Sequence, residues 1–162
     1  MTFEQLIEGK TVESAISYTD GSSTGGTGNG SYGIYFLWSD GSTTRKCGPV
    51  GEWTCSYECE LMVVTECLPV IIEKQWEGAA LPGAVILTDC RALVQALGDS
   101  GSESVREAVL LADYLLKTEG VQTMVQWIPS HNRGPQQRDS RRTSQRGKVN
   151  ATATETTNSV RR

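Results

Sequence analysis

The sequence breaks in two at His131, and the break confines any packed fold to the part before it. Residues 1–131 carry 17 acids and 7 Lys/Arg, a formal charge of −10; residues 132–162 carry 2 acids and 8 Lys/Arg, a charge of +6. The hydrophobic residues of the second part are Val149, Ala151, Ala153 and Val160, too little apolar surface to offset the entropy of ordering a chain. A basic, Ser/Thr-rich disordered tail is therefore expected over 132–162. Residues 1–13 read as a polar N-terminal extension. One domain over 14–131 remains, large enough for a real core. The five cysteines (Cys47, Cys55, Cys59, Cys67, Cys90) are odd in number, and no basic run followed by an apolar one precedes them. Free thiols in an intracellular compartment, cytoplasmic or nuclear, are expected rather than secretion. Cys55 and Cys59 could join His131 at a zinc ion, but paired C-x-x-C spacings are missing. No apolar stretch approaches the ~20 residues that cross a bilayer, so no membrane partner is expected.

Apolar runs and turn residues then set an order of elements. Ala15 to Thr19 reads as a first strand, and Gly21 to Gly30, rich in Gly, Ser and Thr, as a turn. Tyr32 to Trp38 and Thr43 to Val50 read as an antiparallel pair joined at Asp40-Gly41, with Gly51 to Ser56 as a loop. From about Tyr57 a helix follows that is apolar on most sides, through Val63, Val64, Cys67, Leu68 and Ile71. Such a helix is packed against a sheet, and Pro69 within it should kink or divide it. Val85 to Thr88 is a fourth strand, and Arg91 to Leu97 a short helix stopped by Gly98. Ser104-x-x-Glu107 predicts a capping box for a third helix, ended by Gly120. Val121 to Ile128 alternates as a fifth strand. Hairpins first and crossover helices later imply an α/β fold: a mixed five-stranded sheet, three antiparallel strands followed by parallel ones, flanked by helices.

Three acids stand at junctions of these elements. Asp20 closes the first strand, Glu60 heads the apolar helical run, and Asp89 ends the fourth strand. Taken singly, each has an ordinary explanation: a turn residue, a complement to the helix dipole, a helix N-cap. Together they fall at ends of elements that one sheet would bring close, since neighbouring strands lie about 5 Å apart. Three buried carboxylates repel one another unless a cation neutralises them. Oxygen-only ligation selects Mg²⁺ or Mn²⁺ over zinc, and such ions serve phosphodiester hydrolysis.

Four blocks now occur in sequence: Tyr18-Thr19-Asp20-Gly21-Ser22, Glu60-Leu61-Met62, Leu87-Thr88-Asp89-Cys90 and Trp127-Ile128-Pro129-Ser130-His131. Over roughly residues 14–131 the chain resembles ribonuclease H of type 1, particularly the domains carried by non-LTR retrotransposons. Cys90 stands where the family often has Ser, and a single helix between the Asp89 helix and the last strand leaves out the basic handle of some cellular members. The resemblance implies endonucleolytic hydrolysis of the RNA strand of an RNA–DNA hybrid by a two-metal mechanism with Mg²⁺ or Mn²⁺. It implies metal binding and catalysis at Asp20, Glu60 and Asp89, with His131 acting near the attacking water or in product release. Gly21, Ser22 and Arg91 would lie near the RNA strand. The implied partners are the hybrid and a reverse transcriptase domain of a parent element, with the domain itself a monomer.

The family pattern continues past the His with Gly and then Asn-Glu-x-Ala-Asp, whose Asp, ten residues beyond the His, completes the metal site. Here that position is Arg141. Asp139 is two residues away, about 200° around a helix, and would point elsewhere. A frame shift explains the departure. Residues 132–147 can be back-translated with permitted codons so that omitting one nucleotide gives Thr-Gly-Ala-Pro-Ser-Asn-Glu-Thr-Ala-Asp-Ala-Leu-Ala-Lys-Glu-Ala, with its Asp in register at position 141. The last helix is thus expected to be missing, leaving apolar surface exposed and activity impaired. Two alternatives stand beside this: a non-catalytic hybrid-binding module, to which the +6 tail would lend phosphate affinity, and an inactive retroelement remnant.

Overall fold

The computed structural model describes residues 14–99 and 102–129. The expected extension, His131, Arg141 and the basic tail lie outside the described residues. Strand β1 (Ala15–Ser23) leads through a 3-10 turn at Thr24–Gly26 into β2 (Thr27–Leu37) and β3 (Thr43–Cys55). Helix α1 (Ser56–Trp76), strand β4 (Gly83–Thr88) and helix α2 (Arg91–Gly98) follow. A 3-10 turn at Glu103–Val105 precedes helix α3 (Arg106–Thr118) and strand β5 (Gln122–Trp127). The sheet order is β3-β2-β1-β4-β5. β1, β2 and β3 pair antiparallel, while β1–β4 and β4–β5 are parallel. This is the mixed sheet that the order of runs implies.

Four local expectations fail, the first being the loop expected over Gly51 to Ser56: β3 runs on to Cys55, because its main chain stays paired with β2 through Gly51, Thr54 and Cys55. The Gly/Ser segment after Asp20 is strand, not turn: the β1–β2 ladder continues from Asp20 opposite Gly33 to Ser23 opposite Gly30. Main-chain pairing needs no apolar side chains, and here it needs their absence, because a Cβ on Gly30 would overlap the Thr54 hydroxyl. Pro69 does not divide α1, which continues through it to Trp76. The buried Val64, Cys67, Leu68, Ile71 and Ile72 on both sides of it gain more from packing than the ~3 kcal/mol a helix-interior proline costs. The Ser104 capping box does not form. α3 starts at Arg106 with Val105 as N-cap, and Ser104 Oγ lies 2.9 Å from Ser102 Oγ instead. Gly120, at φ 69°, does end α3.

The main core lies on one sheet face, where Ile34, Phe36, Ala84 and Ile86 meet Val63, Val64, Leu68 and Ile71 of α1 and Leu93, Ala108 and Leu115 of α2 and α3. On the opposite face Ile16, Tyr18, Tyr35, Leu87 and Ile128 form a smaller cluster. All five are at most 9% exposed; the last helix, expected to be missing, falls outside the described residues. Tyr18 and Tyr35 pack ring against ring at 6.2 Å, and the Arg45 guanidinium covers Tyr35 at 5.4 Å. Exposed apolar side chains collect instead on α3 and the edge strand β5, at Leu110, Leu116, Met124 and Trp127.

Candidate active site

β1 and β4 run parallel with Tyr18 opposite Leu87. Two residues further on, Asp20 and Asp89 therefore leave neighbouring strand positions at the same level, about one strand spacing (~5 Å) apart. Glu60 sits one turn into α1 and joins the two. Its Oε1 accepts the Gly21 N–H at 3.0 Å, and its Oε2 accepts the Thr88 hydroxyl at 3.3 Å. Gly21 follows Asp20 and Thr88 precedes Asp89, so one carboxylate is anchored beside both of the others. The approach is close: a Cβ on Gly21 would stand 2.6 Å from both the Cys59 carbonyl oxygen and the Glu60 nitrogen, which only glycine avoids.

The ordinary roles for these acids fall away in this setting. Asp20 is a strand residue, not a turn residue. Cys90, not Asp89, is the N-cap of α2. The first-turn acid of α1 is Glu58, whose carboxylate accepts the Cys55 N–H at 2.7 Å. Glu60 is instead buried, 6% exposed.

Burial, and then the Asp89 charge, push the Glu60 carboxyl up from its ordinary 4.5 to about 8. The Gly21 N–H pulls it down, the Asp20 charge raises it further, and the Thr88 hydroxyl lowers it slightly. Two other carboxylates thus act on Glu60 in a setting with surplus negative charge. The donors are all oxygens, the set that suits Mg²⁺ or Mn²⁺, and a cation would relieve the repulsion. Among the described residues no three ligating side chains stand together as a ready-made metal group, so the fit is one of donor chemistry and charge.

Gly21 and Ser22 are half-buried beside this cluster, and Arg91 is exposed at the first position of α2. His131 and Arg141 lie outside the described residues. All five cysteines are free, with Cys59 and Cys67 buried. Sequence reasoning overlooked the supports: Thr88 accepts the Cys90 N–H at 3.1 Å while holding Glu60, and the Trp127 indole N–H donates to the Asp89 carbonyl at 3.2 Å. Thr19 ties β1 to β4 through the Leu87 carbonyl at 2.9 Å. The available signal was a threonine beside each aspartate in otherwise apolar strands.

No helix among the described residues is long and apolar enough to cross a membrane. No family model matches the sequence, and no curated protein does. Solved structures do match. Ribonuclease H1 of the halophilic archaeon Halobacterium salinarum has a TM-score of 0.64 at 14% identity, over 84% of this chain and 98% of that one. The N-terminal ribonuclease H domain of a Mycobacterium tuberculosis protein, solved as a fusion with maltose-binding protein, has a TM-score of 0.66 at 16% identity, over 88% and 99%. A foamy viral protease–reverse transcriptase, solved with an RNA/DNA hybrid, has a TM-score of 0.56 at 15% identity, over 84% of this chain and 20% of that one. At such identities the likeness speaks for architecture, and the architecture of this chain is the ribonuclease H fold.

Proposed function

We propose that this chain is the ribonuclease H domain of a retroelement, an endonuclease for the RNA strand of RNA–DNA hybrids whose activity is impaired by its altered ending. The observation that carries the reading is Glu60, bridged between β1 and β4, its carboxyl pushed up to about 8 by burial first and then by the Asp89 and Asp20 charges. The likeness to a protease–reverse transcriptase solved with a hybrid supports a reverse transcriptase domain as neighbour in the parent element. The domain itself is read as a monomer.

Asp20, Glu60 and Asp89 would hold Mg²⁺ or Mn²⁺. Such ions, when bound, lower the pKa of a water nucleophile and stabilise the leaving oxygen of a phosphodiester. The Gly21 N–H and the Thr88 hydroxyl fix Glu60 in place, so its carboxylate needs no reorganisation on loading. The Gly21–Ser22 backbone and the Arg91 side chain contact the RNA strand, where 2′-hydroxyls distinguish RNA from DNA. His131 serves the attacking water or product release. Arg141 stands at the sequence position where the resemblance expects the fourth carboxylate.

The test is Mg²⁺-dependent cleavage of labelled RNA in a hybrid. The chain as written should cleave weakly or not at all, the frame-restored chain should cleave, and Asp20→Asn in the restored chain should abolish cleavage. A restored chain that stays inactive refutes the catalytic reading. Nucleotides across codons 131–133 that are incompatible with the shifted series refute the frame shift. The split of −10 before and +6 after His131 favours one second reading, a non-catalytic hybrid-binding module. It would show salt-dependent hybrid binding without cleavage in either frame.

A further inference from the structure

Where β3 approaches α1, the ladder with β2 is broken in a way that the acids do not explain. Gly28 pairs with Thr54 and Gly30 with Gly51, so Asn29 alone stands opposite Glu52 and Trp53. The next pair, Ser31 with Pro49, leaves Val50 over as a second extra residue. Bulges of this kind re-aim side chains and are over-represented next to active sites. Trp53 is the one non-glycine residue among those described with positive φ, at 60°, a region unfavourable to L residues. It is also 84% exposed. An indole held in water on a strained backbone gives nothing back to folding, and strain of this kind collects at ligand sites.

Its place in the fold says which ligand. Cys55, two residues on, is the N-cap of α1, and from there to Glu60 is about 7.5 Å along the helix. Ser56 Oγ lies 3.3 Å from Ser23 Oγ, tying the helix start to the end of the strand that carries Asp20. Trp53 thus stands on the β3 side of the acidic cluster, with Arg91 on the β4 side. A phosphate backbone finds little cationic help there. Glu52 precedes the tryptophan and Glu58 follows it five residues on, and at least four of the six Lys/Arg in residues 14–129 are in ion pairs. A body this acidic needs a non-ionic contact to hold a polyanion, and aromatic side chains supply one because sugars and bases present apolar faces.

We propose that Trp53 is a nucleic-acid contact. On the ribonuclease H reading on which this rests, its indole packs against the sugar edge of the hybrid's shallow minor groove, with the duplex lying across Asp20, Glu60 and Asp89. The experiment measures binding of a fluorescently labelled RNA–DNA hybrid to the full chain in Mg²⁺, over a range of salt, for the unchanged protein, W53F, W53A and W53G. W53F keeps the affinity, while W53A and W53G weaken it about 5- to 100-fold with no change in salt slope, because no phosphate partner is lost. W53G also raises the thermal midpoint, since glycine accepts φ 60° without strain, which separates lost contact from lost folding. If the unchanged chain binds the hybrid and W53A and W53G bind equally well, the inference about Trp53 is overturned and the functional reading survives. A changed salt slope likewise overturns it. If the unchanged chain binds no hybrid, the functional reading itself fails and Trp53 falls with it.

Discussion

Helix α1 changes character along its length. Its first turns bury Cys59 and Glu60, the latter a carboxylate held by Gly21 and Thr88 under pressure from two more acids. Its later turns bury Val63, Val64, Cys67, Leu68, Val70, Ile71 and Ile72. Burial costs free energy at the first end, because a carboxyl that would ionise in water is held protonated there up to about pH 8. At the second it contributes about 1.5–3 kcal/mol for each large side chain. One helix therefore carries a liability kept for chemistry next to the packing that supports it, and substitutions at its two ends should move stability in opposite directions.

The largest effect should come from Glu60→Gln. In the frame-restored chain it removes hybrid cleavage. In the metal-free protein the Glu60 carboxyl titrates near 8 folded against 4.5 ordinarily, so the folded state binds the extra proton between those values. Stability is full below about 4.5 and falls as pH rises towards 8. Glu60→Gln should flatten that decline and add on the order of a few kcal/mol at pH 8, as read by urea unfolding at pH 5 and pH 8. An unchanged pH slope would break the comparison at its charged end.

Ile71→Ala tests the other end. Ile71 is fully buried, so the loss should be about 2–5 kcal/mol, the same at both pH values by the same unfolding measurement. A loss that tracks pH would show that the two ends are coupled. Thr88→Val in the restored chain should lower cleavage about 10- to 100-fold by releasing Glu60, with a smaller effect on unfolding. Equal losses of activity and stability would make Thr88 merely structural. The smallest effect is Pro69→Ala. It restores a helix donor and removes a ring clash, and it should raise stability by up to ~3 kcal/mol, read as a shift in the urea midpoint. A destabilised variant would mean that the apolar end is shaped around the proline.

The same contrast explains what could be read from the residues. Apolar runs fix the order of elements, and the sheet order follows because crossover connections leave few choices. Asp20, Glu60 and Asp89 are legible as a set because each stands at an end of such a run. The extension of β1 through Gly21, Ser22 and Ser23 is not legible, since those strands are held by main-chain pairing and close backbone approach rather than by side chains. Pro69 within α1 and the unused Ser104 box show tertiary packing and a 3-10 entry overriding local preference. The bridging of Glu60 between Gly21 and Thr88 depends on register between elements far apart in sequence. So does the bulge that lifts Trp53, where two residues of β3 face one of β2.

The most direct test of the account is the titration of the Glu60 side-chain carboxyl by NMR in the intact chain, with and without Mg²⁺. The account predicts a midpoint near 8 without metal and a clear downward shift when Mg²⁺ is added, as a bound cation favours the ionised form. A midpoint near the ordinary carboxylate value of 4.5, indifferent to Mg²⁺, would contradict it.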